Sequence, residues 1–91
     1  KLLGLPFDIH TGGIDLKFGL TEFNLDDTLI KRSMIQNARE VIVVAVATKF
    51  NHIAFTRVAP LKVVSKIITD SSLDPAFLSL YEKEGVEIIL V

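Results

Sequence analysis

The feature that most constrains the fold of this chain is the unbroken apolar run from Val41 to Ala47, which reads Val-Ile-Val-Val-Ala-Val-Ala. The run is short and rich in β-branched residues, which is typical of a strand that is covered on both faces of a parallel sheet. It is far shorter than the ~20 apolar residues that a membrane-spanning helix needs. The sequence therefore predicts a buried central strand in a soluble, cytoplasmic protein with no membrane partner.

Other segments of the chain predict the elements around this strand. Residues 66–70, residues 86–91 and, more weakly, residues 6–10 have strand character, and residues 59–64 form a short helical turn. The order strand, helix, strand, short helix, strand, helix, strand is typical of a parallel sheet with right-handed crossovers. We therefore expect a single α/β domain over residues 1–91: a three-layer, Rossmann-like half domain with a four-stranded, mostly parallel sheet and helices on its faces.

The first long helix is predicted over residues 25–39. Asn24 is its N-cap, and Asp27 stands where the second member of a capping box belongs. Apolar side chains at four-residue steps predict the stripe that faces the core. These are Ile30, Met34 and Ala38.

The second long helix has clearer ends. Asp74 caps it, Pro75 fills its first turn, and Gly85 follows its last turn. Its core-facing side chains are predicted to be Phe77, Leu78 and Tyr81.

Polar residues and glycine collect in three segments that follow predicted strands, residues 10–13, 48–51 and 69–72. Ligands of parallel α/β sheets bind beyond the carboxyl ends of the strands. The sequence therefore predicts a binding site where these three segments meet.

Composition limits the kinds of partner that this site can serve. The formal net charge is −1, and the ten basic side chains form no run that would follow a phosphate backbone, so we expect no direct nucleic acid binding by this chain. There are no cysteines, which excludes disulfides and thiolate metal sites. We expect no metal and no cofactor.

Several short stretches occur in an order and spacing that point to a known family. They are Gly13-Ile14-Asp15, Gly19-Leu20-Thr21, Lys31-Arg32-Ser33-Met34-Ile35, Arg39-Glu40-Val41-Ile42-Val43, Thr48-Lys49-Phe50, Arg57-Val58-Ala59-Pro60-Leu61 and Ile68-Thr69-Asp70. Through them, residues 13–91 resemble the C-terminal sensor domain of DeoR-type transcriptional repressors. The resemblance implies a domain that binds a phosphorylated sugar and passes the signal to an N-terminal helix-turn-helix.

The resemblance implies ligand contacts from two lysines. Lys49, next to Thr48, falls on a ligand-contacting lysine of the family and follows the central strand, where an ammonium can meet a phosphate. Lys31 also falls on a family lysine. The alternatives are a solvated loop for Lys49 and, for Lys31, a helical surface pair with Asp27 four residues earlier.

Loop residues complete the predicted site. Gly12 and Gly13 would let backbone N–H groups approach a phosphate, although turn geometry explains them equally well. Asp15 and Thr21 match the family, and each has the alternative role of organising a turn. His10 is a side-chain donor beside the same loop, for which a structural role is the alternative.

Two positions depart from the family. The family usually carries an aspartate where Val46 stands and another where Gly12 stands, and in a sugar site these acids accept hydrogen bonds from hydroxyls. Losing one such bond costs on the order of 1–3 kcal/mol, roughly tenfold to a hundredfold in affinity. Val46 is expected instead to stabilise the central strand. The same losses remove the acid and base that catalysis would need, so we expect no enzyme.

The first residues carry a second resemblance. Residues 4–16 read Gly-Leu-Pro-Phe-Asp-Ile-His-Thr-Gly-Gly-Ile-Asp-Leu and are similar to a strand and loop of cysteinyl-tRNA synthetase. Residues 1–15 would then be synthetase-like and residues 16–91 sensor-like, joined in an engineered or recombined chimera. The alternative is a natural repressor whose first residues resemble the synthetase by chance. If the chain is a chimera, the alternative function is an α/β scaffold with no retained ligand binding. A sheet that lacks half of its parent domain also leaves apolar surface uncovered, which predicts a homodimer.

Overall fold

The computed structural model describes residues 6–91 of the chain, so Gly4 and Leu5 of the synthetase-like segment lie outside the described residues. Seven strands and two helices follow one another along this part of the chain. They are β1 (Pro6–Ile9), β2 (Gly13–Asp15), β3 (Gly19–Glu22), α1 (Leu25–Asn37), β4 (Glu40–Val44), β5 (Thr56–Ala59), β6 (Lys66–Thr69), α2 (Pro75–Lys83) and β7 (Glu87–Leu90). Short 3-10 turns occupy Ala47–Lys49 and Leu61–Val63.

The larger sheet contains four parallel strands in the order β1-β4-β6-β7. In-register residues of neighbouring strands point to the same face, and one such row is buried across the whole sheet. This row consists of Ile9, Val43, Ile67 and Ile88. The predicted α/β class and its four-stranded parallel sheet are confirmed.

A second sheet was not predicted from the sequence. Strands β2, β3 and β5 pair antiparallel in that order. Gly12-Gly13 is therefore not a simple turn, because Gly13 begins β2. The reversal comes later, where the Asp15 carboxylate accepts hydrogen bonds from the N–H groups of Lys17 and Phe18, both at 2.9 Å, and Gly19 adopts a positive φ of 75°.

Strand β4 is shorter than its apolar run predicts. It ends at Val44, and Val46 lies beyond it in extended backbone with 55% of its surface exposed. The Ala45 N–H still donates to Ile68 O, but the next donor, Ala47 N–H, turns to the Asp70 carboxylate at 2.7 Å. The expectation that Val46 stabilises the central strand is therefore wrong, because that residue has left the sheet.

Helix α1 begins as predicted. The Asn24 side chain accepts a hydrogen bond from the Asp27 N–H at 2.8 Å and donates to the Asp27 carboxylate at 2.9 Å. The helix ends at Asn37, two residues before the predicted end. The N-cap at Asn24 is confirmed, but the Asp27 carboxylate bonds to the Asn24 side chain, whereas a capping box would use the Asn24 backbone N–H.

The core-facing side of α1 differs from the predicted stripe. Met34 and Ala38 pack against the core, but Ile30 is 60% exposed. The inward positions of the first turns belong to Thr28, which is fully buried and donates to Asn24 O, and to the half-buried Lys31. The stripe was wrong for Ile30 because two polar side chains with hydrogen-bond partners inside the protein, Thr28 and Lys31, take its place.

Helix α2 matches the prediction. The Asp74 carboxylate accepts a hydrogen bond from the Ala76 N–H at 2.8 Å, Pro75 stands in the first turn, and Gly85 adopts a φ of 89° after the last. Tyr81 is fully buried, and Phe77 and Leu78 pack against the same core.

The two faces of the parallel sheet are covered unequally. Both helices and the antiparallel sheet contribute side chains to the core beside the buried row. On the opposite face, apolar side chains are only half-buried and lie outside that core. They are Ile42, Val44, Ile68 and Ile89. Among residues 6–91, neither helix is long and apolar enough to cross a membrane.

Candidate functional site

A cleft of about 240 Å³ lies at the carboxyl edge of the parallel sheet. The edge is the one where the sequence predicted a binding site, since the ends of β1, β4 and β6 meet there. The lining residues are His10, Val44, Ala45, Val46, Ile68, Thr69, Asp70 and Val91. Most of the wall is apolar, so its polar groups determine what can be recognised there.

Asp70 fixes one side of the cleft. Its carboxylate accepts hydrogen bonds from the Ala47 N–H at 2.7 Å, the Ser72 N–H at 3.3 Å and the Ser72 hydroxyl. These bonds, the Ser72 hydroxyl foremost, lower the pKa of Asp70 below its usual value. Asp70 therefore stays ionised and holds the 3-10 turn that carries Thr48 and Lys49.

Lys49 lies one 3-10 turn beyond Val46, with its N–H donating to Val46 O at 3.0 Å. Its ammonium sits 5.5 Å from the ring centroid of Phe23, a cation–π distance. The two ion pairs of residues 6–91 join other lysines to glutamates, so no carboxylate in this part of the chain neutralises Lys49. Thr48 is exposed beside it.

The side chain of Lys31 bonds to other elements of the protein. Its ammonium forms an ion pair with the buried Glu22 and also donates to His10 O. Asp27, its predicted surface partner, instead bonds to Asn24. Lys31 therefore joins α1 to β3 and to the end of β1, and the pairing with Asp27 was wrong.

The two loop glycines are explained by close packing. The Gly12 N–H donates to Thr21 O at 3.0 Å, so it is already used within the protein. A Cβ on Gly13 would lie 2.3 Å from His52 O, a distance that real Cβ atoms essentially never show. The backbone of the loop after β4 thus rests directly on β2.

The remaining predicted residues also have structural partners. The Asp15 carboxylate organises the β2–β3 reversal. The buried Thr21 hydroxyl accepts a hydrogen bond from the Ala54 N–H at 2.8 Å and so anchors the loop after β4 to β3. Of the predicted residues, His10 lines the cleft, whereas Thr48 and Lys49 lie on the 3-10 turn that follows its wall residue Val46.

Sequence reasoning missed the residue that holds the loop after Lys49. The hydroxyl of Tyr81 donates to Asn51 Oδ1 at 2.7 Å, with Ile14 O at 3.3 Å, and the Tyr81 ring meets Phe50 edge-to-face at 5.0 Å. Burial raises the pKa of Tyr81 to about 12. Asn51 has a positive φ of 61°, which this hydrogen bond supports. Only the contact between distant segments reveals this role.

Thr69 belongs to the segment of residues 69–72 that the sequence placed at the site, although it was not singled out. It ends β6 in the wall of the cleft, with 2% of its surface exposed. Its hydroxyl has no hydrogen-bond partner among the residues that the structure describes. The position of Thr69 at a strand end was visible in the sequence, but its burial was not.

Within residues 6–91, no group of three or more His, Asp or Glu side chains is arranged to hold a metal ion.

Comparison of the sequence with known proteins identifies its family. The family model described as the DeoR C-terminal sensor domain matches residues 7–71, more than half of the chain. The match begins within the synthetase-like segment, so the sensor family itself accounts for residues 7–15. The join proposed near that segment stays a prediction.

Curated relatives that the chain matches are named as transcriptional regulators. An uncharacterized HTH-type transcriptional regulator of Bacillus subtilis, YulB, is 34% identical over 79 residues, which are 87% of this chain and 31% of that protein. The HTH-type transcriptional repressor GlcR of the same organism is 35% identical over 72 residues, 79% of this chain and 28% of that protein. A putative aga operon transcriptional repressor of Escherichia coli O157:H7 is 33% identical over 78 residues, 86% of this chain and 29% of that protein. The chain thus spans about a third of the length of these relatives, and it belongs to the DeoR family of transcriptional regulators through their C-terminal sensor domain.

Proposed function

We propose that this chain is a non-catalytic effector sensor that binds a phosphorylated sugar, with Lys49 contacting the phosphate. The observation that carries the proposal is the ammonium of Lys49, which no carboxylate neutralises within residues 6–91. The backbone N–H of Lys49 bonds to Val46, a wall residue of the cleft. A lysine in this setting is available as a point charge for a phosphate. The rest of the ligand would then extend into the cleft.

The way the Lys49 turn is held supports the proposal. Asp70 bonds the start of the turn at Ala47, and Tyr81 bonds Asn51 just after it. A charged group that is already positioned loses little conformational freedom on binding, which favours affinity. The turn is therefore suited to recognise an anion.

The chemistry of the cleft favours binding over catalysis. Asp70 is the carboxylate that lines it, and its hydrogen bonds keep it ionised and occupied as an acceptor. Such a group is poorly placed to donate a proton. Since the relatives are named as transcriptional regulators, we infer that the chain passes a binding signal, in the cytoplasm, to a DNA-binding segment elsewhere in a longer regulator.

The test is an amide-resolved NMR titration with separate pentose and hexose monophosphates, with inorganic phosphate as the reference. We expect saturable shifts at Thr48 and Lys49, and their loss in Lys49→Gln. Lys62→Gln is the matched control, because Lys62 is exposed on the turn that leads into β6 rather than at the carboxyl edge. Equal binding by both variants, or equal shifts with inorganic phosphate, would contradict the proposal.

A specific observation favours a second candidate, an engineered or recombined scaffold that keeps the fold and has lost the ligand. Val46 exposes an apolar side chain in the wall of the cleft where the family usually has an aspartate. A scaffold would give a well-dispersed spectrum that no sugar phosphate changes. A genome that encodes this sequence within a full-length regulator would exclude the chimera.

A further inference from the structure

We propose that the imidazole of His10 recognises the sugar portion of the ligand, through a hydrogen bond between a ring nitrogen and a sugar hydroxyl. The inference rests on the proposed function, and it adds the side chain that reads the sugar in the cleft. The observation that carries it is the place of His10 in the cleft wall, where its exposed imidazole makes no hydrogen bond to any of residues 6–91.

The polar groups of the cleft wall differ in what they offer a ligand. The wall side chains that carry such groups are those of His10, Thr69 and Asp70. Thr69 shares a face of β6 with the buried Ile67, so its hydroxyl is buried on the covered side of the sheet. The Asp70 carboxylate already accepts three hydrogen bonds within the protein. The polar atoms of His10 are therefore those left for a ligand.

The sheet directs the His10 side chain toward the cleft. Burial alternates at the end of β1, where Ile9 and Thr11 are buried and His10 between them is exposed. Because Ile9 belongs to the buried row, His10 faces the opposite side of the sheet. The in-register pair Val44 and Ile68 lines the cleft on that side. The imidazole and the apolar wall therefore share one face.

The backbone around His10 is held in place. The Lys31 ammonium donates to His10 O. The next two residues are tied to β3, because the Thr11 hydroxyl and the Gly12 N–H donate to Thr21 O at 2.9 and 3.0 Å. A group whose backbone is already fixed loses less conformational freedom when it binds a ligand.

The Phe23 ring connects His10 to the proposed phosphate site. The Lys49 ammonium lies 5.5 Å from the centroid of this ring, and a Cβ on Gly12 would lie 3.0 Å from its edge. The ammonium and the loop that carries His10 therefore adjoin the same side chain. A single small ligand can then place its phosphate at Lys49 and its sugar at His10.

The cleft limits this ligand to one sugar unit. Sites for drug-sized ligands span roughly 300–1,000 Å³, and this cleft of about 240 Å³ is smaller. Val44, Val46 and Ile68 offer surface for the C–H face of a sugar ring. A neutral imidazole has one nitrogen that donates and one that accepts, so it can pair with a hydroxyl in either sense.

The first test compares substitutions at His10. We expect His10→Leu to weaken binding of a pentose or hexose monophosphate about tenfold, which corresponds to one hydrogen bond. His10→Asn and His10→Gln place an amide near one or the other ring nitrogen, and one of them should bind within a few-fold of the parent. His52→Leu is the matched control, because His52 is exposed outside the cleft wall and should leave affinity unchanged. The melting temperature of His10→Leu should equal that of the parent, whereas an imidazole with a structural role would lower it.

The second test uses the unsubstituted protein. The chain has two histidines, so the imidazole C–H signals are few and those of His10 are identified by their loss in His10→Leu. We expect a sugar monophosphate to shift them in a saturable way. Inorganic phosphate should leave them in place, because the proposed contact is to the sugar.

The outcomes separate this inference from the proposed function. Unchanged affinity in His10→Leu, or His10 ring signals that stay in place at saturation, would overturn the inference while the phosphate role of Lys49 stands. Equal ring shifts with inorganic phosphate would also overturn it, since His10 would then bind the phosphate. If neutral sugars shift the His10 ring and leave Lys49 unshifted, the phosphate assignment fails and the His10 contact stands. Silence toward phosphorylated and neutral sugars alike would overturn both.

Discussion

Val46 contributes little to the stability of the fold, but it lies where a ligand in the cleft would be recognised. The side chain lies just beyond β4 and is more than half exposed, so it contributes little to the core. It also lines the cleft, where the resemblance to the family implies an aspartate. At the other departure, Gly12, a Cβ would lie 3.0 Å from the ring of Phe23, so a side chain as large as aspartate has to displace that ring. Val46 is therefore the position where an acceptor can be restored without repacking.

We predict that Val46→Asp strengthens binding of a sugar monophosphate. A carboxylate at the cleft wall accepts a ligand hydroxyl, and such a bond is worth about 1–3 kcal/mol, or roughly tenfold to a hundredfold in affinity. The measurement is the dissociation constant from an NMR or calorimetric titration. Leu80→Asp on the exposed side of α2 adds the same charge away from the cleft and should leave affinity unchanged. Weaker binding by Val46→Asp would indicate that repulsion of the phosphate dominates.

At the residue scale, local chemistry was predictable and partners across the fold were not. Asn24 caps α1 and bonds to the Asp27 side chain because both residues lie within one turn of the helix. The partner of Lys31 lies nine positions back on another element, and the partner of Tyr81 lies thirty positions back. No spacing rule along one helix identifies such contacts.

At the scale of elements, the strands of the parallel sheet could be predicted from the sequence, whereas those of the antiparallel sheet could not. Strands β4, β6 and β7 were predicted because each contains consecutive β-branched residues in a repeating strand and helix order, whereas β1 showed weaker strand character. Strands β2 and β3 have only three and four residues, too few to display an alternating pattern. Their third partner, β5, pairs across more than thirty residues of sequence, as between Thr21 and Arg57. The antiparallel sheet is therefore a product of tertiary contact.

The docking of the loop after β4 onto β2 gives a prediction at this scale. We expect Gly13→Ala to lower the free energy of unfolding by about 3 kcal/mol, since its Cβ would displace the backbone at His52. Gly12→Ala is the matched comparison and should cost about 1 kcal/mol or less, because its nearest neighbour is the 64% exposed, movable ring of Phe23. Urea denaturation measures both. Equal losses would mean that the loop can shift away from β2 at little cost.

At the scale of the whole molecule, the half-covered face of the parallel sheet is the main unexplained surface. The row nearest the amino edge is charged, with Asp8, Lys66 and Glu87 in register around Ile42. The next row toward the carboxyl edge is apolar and contains Val44, Ile68 and Ile89. A twofold axis through the apolar row would bring apolar surface onto apolar surface and leave the charged rows at the rim in water, as a symmetric interface requires.

We therefore predict that the isolated chain self-associates through this face in a concentration-dependent way. Ile89→Glu should shift the sedimentation profile to the monomer, because it places a charge in the apolar row without touching the core cluster. Leu29→Glu is the control, since Leu29 is exposed on α1 and lies outside this face. A parent chain that stays monomeric at high concentration, or a dimer that Ile89→Glu leaves intact, would exclude this interface.

Ligand binding and self-association are expected to be linked, because Val44 and Ile68 belong both to the apolar row and to the wall of the cleft. A dimer formed on that row covers the cleft, so a ligand that binds only the open cleft must shift the equilibrium toward the monomer. Sedimentation with and without a saturating sugar phosphate measures the shift, and Lys49→Gln should abolish it. A ligand that binds and leaves the dimer unchanged would place the interface on another face of the molecule.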